Sequence, residues 1–187
     1  MEDTRLTPVG FLAKQRVMRF ESAGLPMLEQ VCSVSECIAS TPPMATYDGR
    51  NDLGFYDSED DARATVPVDE VADYELFAFR LLPAEFDQGS RRALPGVMRP
   101  RLDGIDLTGW TPLGFDVVAD CPSDSFLGCH SPLTCNGLVD RVATNRWGLM
   151  ESLQEALDLA EALALDQIPA EPGPFFVVEV LRASCRT

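Results

Sequence analysis

Hydrophobic positions along the chain fall into a few patterned stretches separated by long segments without a period. Phe175 to Leu181 (FFVVEVL) is apolar at every position but Glu179, as expected of a strand covered on both faces. Tyr74 to Leu82 (YELFAFRLL) is a second β-rich run, interrupted by Glu75 and Arg80. Between residues 151 and 166 the period changes to that of a helix. Leu153, Ala156, Leu157, Ala160, Leu163 and Ala164 make one stripe, with Glu151, Glu155, Asp158 and Asp166 opposite. Ser152-x-x-Glu155 ahead of it is a capping box, and Pro169, Pro172, Gly173 and Pro174 stop it and turn the chain into the last strand. Ser58-x-x-Asp61 is a similar start, predicting a shorter helix over 59–65 that Pro67 ends.

These elements recur in one order. TPVGF at Thr7 to Phe11 returns as TPLGF at Thr111 to Phe115. NDLGFYDSEDDA from Asn51 aligns without gaps on NRWGLMESLQEA from Asn145, keeping Asn, Gly, Ser and Ala. A Cys pair lies between the two blocks in each half, Cys32 with Cys37 and Cys121 with Cys129, and a β-rich run follows each. The expectation is an internal duplication. Residues 1–84 and 111–187 are its two units, joined by an Arg-, Pro- and Gly-rich connection over 85–110. The expected fold class is α+β: two related strand, Cys-loop, helix, strand units that share a sheet within one compact domain or pack as a pseudo-dimer. A ferredoxin-like arrangement is one way to do so.

Charge then changes what the surface suggests. The chain has 187 residues and a formal net charge of −15, from 30 acidic and 15 basic side chains. Its cations are 14 Arg and the single Lys14. Asp48 to Glu75 holds ten acids and two arginines, a local −8, and residues 151–166 add −5. Arg91, Arg92, Arg99 and Arg101 concentrate the opposite sign in the connection. This pattern points to a non-catalytic protein-interaction module, such as an accessory subunit, inhibitor or immunity-type protein. Asp57, Glu59, Asp60 and Asp61 would meet a basic protein surface, alone or within a larger assembly. The Arg91 to Arg101 loop is the other candidate contact, for an acidic partner, and the one place where nucleic acid would fit.

Candidate chemistry is narrow. One histidine, His130, excludes HExxH metalloproteases and three-His zinc enzymes. Neither GxxxxGK[ST] nor GxGxxG occurs. Cys121, Cys129, His130 and Cys135 form a zinc-ligand set without a CxxC knuckle, so the first alternative is a small structural zinc protein, which Cys32 and Cys37 could join. The second is a thiol enzyme in which His130 activates Cys129 or Cys135 and Asn136 orients the imidazole. The sequence contains no complete catalytic set, and zinc is the one cofactor its candidate ligands would take. Glu179, if buried, calls for Arg80 or Arg182 as partner. With no apolar leader and no stretch long enough for a spanning helix, the sequence reads as cytoplasmic, with no membrane contact and its cysteines reduced.

Overall fold

The computed structural model describes residues 6–18, 30–31, 33–34, 41–42, 49–51, 53–87, 90–93, 105–119, 141–165, 167–168 and 175–183, and every structural statement concerns these. Strands β1 (Thr7–Gln15), β4 (Tyr74–Asp87), β6 (Trp110–Ala119) and β7 (Phe175–Ala183) form one antiparallel sheet in the order β1-β4-β7-β6. The short strands β2 (Val17–Met18) and β3 (Gln30–Val31) pair separately, and β5 (Ser90–Ala93) pairs with the far end of β4. Helices α1 (Glu59–Ala64) and α2 (Leu153–Ala164) complete an α+β fold. The connection therefore opens with a hairpin: β4 continues to Asp87, and Arg91 and Arg92 lie on β5.

The helices start where the capping residues predict. Ser152 accepts the Glu155 N–H and Glu155 returns the bond to the Ser152 N–H at 3.1 Å. Ser58 accepts the Asp61 N–H at 3.1 Å, while the shorter Asp61 carboxylate takes the Ser58 hydroxyl at 2.6 Å. The buried stripe of α2 is Ala156, Leu159, Ala160, Leu163 and Ala164. Leu159 thus turns inward and Leu153 and Leu157 sit at the stripe's partly exposed margin, because the helix rolls its smallest residues onto the sheet. There they pack on Leu82, Val117, Phe175 and Val177. Strand β7 is buried from Phe175 to Leu181, as its apolar run requires.

A ferredoxin-like arrangement is not formed. That fold is built from split units whose helix-linked strands run parallel with another strand between them. Here β1 and β4, which flank α1, are direct antiparallel neighbours, as are β6 and β7, which flank α2.

The two halves instead use one register. Thr7 pairs with Leu81 and Thr111 with Arg182; Gln15 pairs with Tyr74 and Ala119 with Phe175. Both strands shift register at the same place, between Pro8 and Gly10 and between Pro112 and Gly114. In the central pair Phe79 faces Val180, which sits at the matching register position of its own strand pair. On either side, Phe77 with Arg182 corresponds to Leu81 with Val178, and Ala78 with Leu181 to Arg80 with Glu179.

An asparagine closes each bulge. Asn51 Nδ2 donates to the Val9 carbonyl at 3.0 Å and Asn145 Nδ2 to the Leu113 carbonyl at 2.7 Å. The Asn51 Oδ1 accepts the N–H groups of Leu53 and Phe55, and the Asn145 Oδ1 those of Trp147 and Leu149. Each bracket is then joined to its strand by a two-way backbone bridge, Phe11 with Tyr56 and Phe115 with Met150. Because Ala supplies none of these three bonds, Asn51→Ala and Asn145→Ala are each expected to cost about 2–3 kcal/mol. Urea midpoints of the two single variants measure this.

Candidate functional site

The acidic stretch around α1 is held by its own backbone. Pro67 stops the helix, and the chain turns through Val66 N–H to Arg63 C=O (3.1 Å), Glu70 N–H to Pro67 C=O (2.9 Å) and Asp73 N–H to Glu70 C=O (2.8 Å). The last turn is a short 3-10 segment, Val71–Asp73. With its backbone bonds made locally, the segment leaves its side chains outward. Asp57, Asp60, Asp61, Asp69 and Asp73 are exposed, and Glu59 is half-buried. Two apolar side chains stand among the carboxylates: Val68 is 93% exposed and Val71 60%. Three acids in the first turn of α1 also suit the helix dipole. Only Ala62 of α1 is buried.

Of the residues picked from sequence, Asp57, Glu59, Asp60 and Asp61 come together here. Asp57 accepts Asn51 Nδ2 at 2.9 Å, which ties the acidic edge to the bracket. Glu59 accepts Arg63 Nη2 at 2.8 Å one turn on. Arg91 and Arg92 have their backbone in β5. Arg99, Arg101, the zinc candidates Cys121, Cys129, His130 and Cys135, and Cys32, Cys37 and Asn136 lie outside the described residues. Among the described residues no group of three His, Cys, Asp or Glu side chains is placed to hold a metal.

Glu179 is 5% exposed and its partner is Arg80, the counterpart-strand candidate, while Arg182 turns to Glu75 at 3.7 Å. Arg80 Nε and Glu179 Oε2 approach as an ion pair without hydrogen-bond direction. Burial pushes the Glu179 carboxyl above the usual range, and the Arg80 charge only partly opposes it.

A second buried polar group escapes sequence reasoning. Lys14, the only lysine, and Asp116 are each 1% exposed and face the same side of the sheet from its two edge strands. Between them lies Val34: its C=O accepts Lys14 Nζ at 3.1 Å and its N–H donates to Asp116 Oδ2 at 3.3 Å. Ser33 Oγ donates to the same carboxylate oxygen at 2.7 Å. One peptide segment is thus clamped across the sheet by two opposite charges, each compensated by hydrogen bonds. Trp147 is similarly enclosed, with the Arg146 and Arg182 guanidiniums each 4.5 Å from its ring centre. A lone lysine inside an apolar strand, and an acid in GFDVV, were the available signals for the clamp.

No family model, no curated protein and no solved structure matches this chain. No helix among the described residues is long and apolar enough to cross a membrane.

Proposed function

We propose that this chain is a non-catalytic binding module, made by duplication of a strand, loop, helix, strand unit, whose first half docks a basic protein surface through the acidic segment 57–73. The observation that carries the docking is the exposure of Val68 and Val71 in a segment that also carries Asp69, Glu70 and Asp73. Apolar side chains surrounded by charge match the composition of an interface, a desolvated centre with a polar rim. The matched register, bulges and asparagine brackets support the duplication. With a net charge of −15, association with a basic surface is fast and weakened by salt.

The test compares wild type with Asp60→Lys/Asp69→Lys, two exposed sites away from the Ser58 cap. A partner captured by wild type at low salt, released by about 0.5 M salt and lost by the variant supports the reading. Equal capture of the same partner by both proteins overturns it.

A further inference from the structure

At the end of the sheet where β4 and β6 begin and β7 ends, a cavity of about 630 Å³ opens beside α1. Arg16, Arg63, Arg182, Glu59 and Glu75 line it together with Trp110, Tyr74 and Leu76. Five of these residues match apolar ones in the other half. Matching the two helix caps sets Glu59 and Arg63 against Leu153 and Leu157. Matching the strand registers sets Glu75 against Phe176, Arg182 against Leu81 and Trp110 against Leu6. All five apolar counterparts lie in or against the two hydrophobic clusters.

The contrast has a physical meaning. At the matched positions the second half carries Leu and Phe, which have no polar cost. The first half keeps charges around an open cleft whose volume is that of a small-ligand site. The charges also count. Glu59 answers Arg63 at 2.8 Å and Glu75 answers Arg182 at 3.7 Å. Among the described lining residues Arg16 has no ion pair, so three guanidiniums stand beside two carboxylates, while Glu70 and Asp73 act on Tyr74 from outside the lining. Two carboxylates on its wall oppose a multiply charged anion such as a phosphate, whereas an unpaired guanidinium in a lining that also holds Trp110 and Tyr74 suits one carboxylate with an apolar body.

We propose that this cavity binds a small monocarboxylate with an aromatic or aliphatic body, its carboxylate on Arg16 and its body against Trp110. The chain has two tryptophans, so Trp147→Phe leaves Trp110 as the sole reporter of the site. In that background phenylacetate, benzoate and hexanoate are titrated by Trp110 fluorescence beside their neutral amides. Ligands of roughly ten heavy atoms bind at millimolar concentration or better in a formed site. At least one acid is expected to give a saturable change, with its amide about tenfold weaker. Arg16→Ala, at an exposed position, is expected to weaken the acid about tenfold and leave the amide unchanged. Ligand-observed NMR on the wild-type protein repeats the comparison without the Trp147 change. Equal binding of acid and amide, unchanged affinity in Arg16→Ala, or no saturation by any of the three acids up to about 20 mM overturns the proposal. The outcome is separate from the docking test, because Asp60 and Asp69 do not line the cavity.

Discussion

Gly114→Ala is expected to destabilise the fold by about 3–5 kcal/mol, and Gly10→Ala by a similar amount. Gly114 has φ +144° and Gly10 φ +134°, a region that L side chains rarely adopt. Space closes the remaining route. A Cβ on Gly114 would stand 2.5 Å from the Met150 carbonyl oxygen and 2.9 Å from the Leu149 Cβ. On Gly10 it would stand 2.5 Å from the Tyr56 carbonyl oxygen and 2.6 Å from the Phe55 Cβ. These neighbours are held by the bridges Phe115 with Met150 and Phe11 with Tyr56, so they cannot withdraw without losing two backbone hydrogen bonds. A loss of this size is a large part of the total stability of an ordinary domain. Urea unfolding followed by circular dichroism measures it, and a change below about 1 kcal/mol in both variants would show that the brackets yield.

The Arg80 and Glu179 pair gives the second large effect. Arg80→Leu at neutral pH is expected to cost about 2–3 kcal/mol, because it leaves a buried carboxylate without its cation. The figure lies below that of a fully buried pair since Arg80 itself is about a third exposed. The double variant Arg80→Leu/Glu179→Ala should recover to near wild type or above. It places at this position the same Leu and Ala pairing that Leu181 and Ala78 already make beside it. The pH dependence has a definite sign. Below the ordinary carboxylate range Glu179 is protonated in both states. Between that range and its raised folded value, the folded chain holds a proton that the unfolded chain has released. Stability contributed by Glu179 therefore falls as pH rises through this window. Arg80→Leu should steepen the fall and Glu179→Ala remove it, measured as urea midpoints across acidic to neutral pH. A single and a double variant of equal stability would refute the account.

How much of this was legible in advance differs by element. The helix starts were local: Ser58 and Ser152 with an acid three residues on satisfy orphan amides whatever else the chain does. Strand β7 was legible because its run is too apolar for anything but a covered strand. The TPxGF and NxxG blocks were visible as matching words, but their joint meaning was not. Asn145 reaches Leu113 across 32 residues and Asn51 reaches Val9 across 42, distances that no local pattern carries. The acids around α1 were found from charge alone. The exposed valines among them, and the cavity beside them, depend on where Pro67 ends the helix and on which strand ends meet there.

The sequence by itself determined the class of elements, their order in each half, the caps, the burial of β7 and the uneven charge, since each follows from neighbours a few residues apart. It also narrowed the partner of Glu179 to Arg80 or Arg182, between which the structure chose Arg80. Only the tertiary structure decided that β1-β4 and β7-β6 join as direct antiparallel pairs through β4 and β7, and that Lys14 and Asp116 clamp one peptide between opposite edges. It alone brought Arg16, Arg63, Arg182, Glu59 and Glu75 together around one cleft. Those outcomes rest on strand registers and on side chains more than a hundred residues apart, where hydrogen-bond geometry and packing choose among alternatives that local propensity leaves equal.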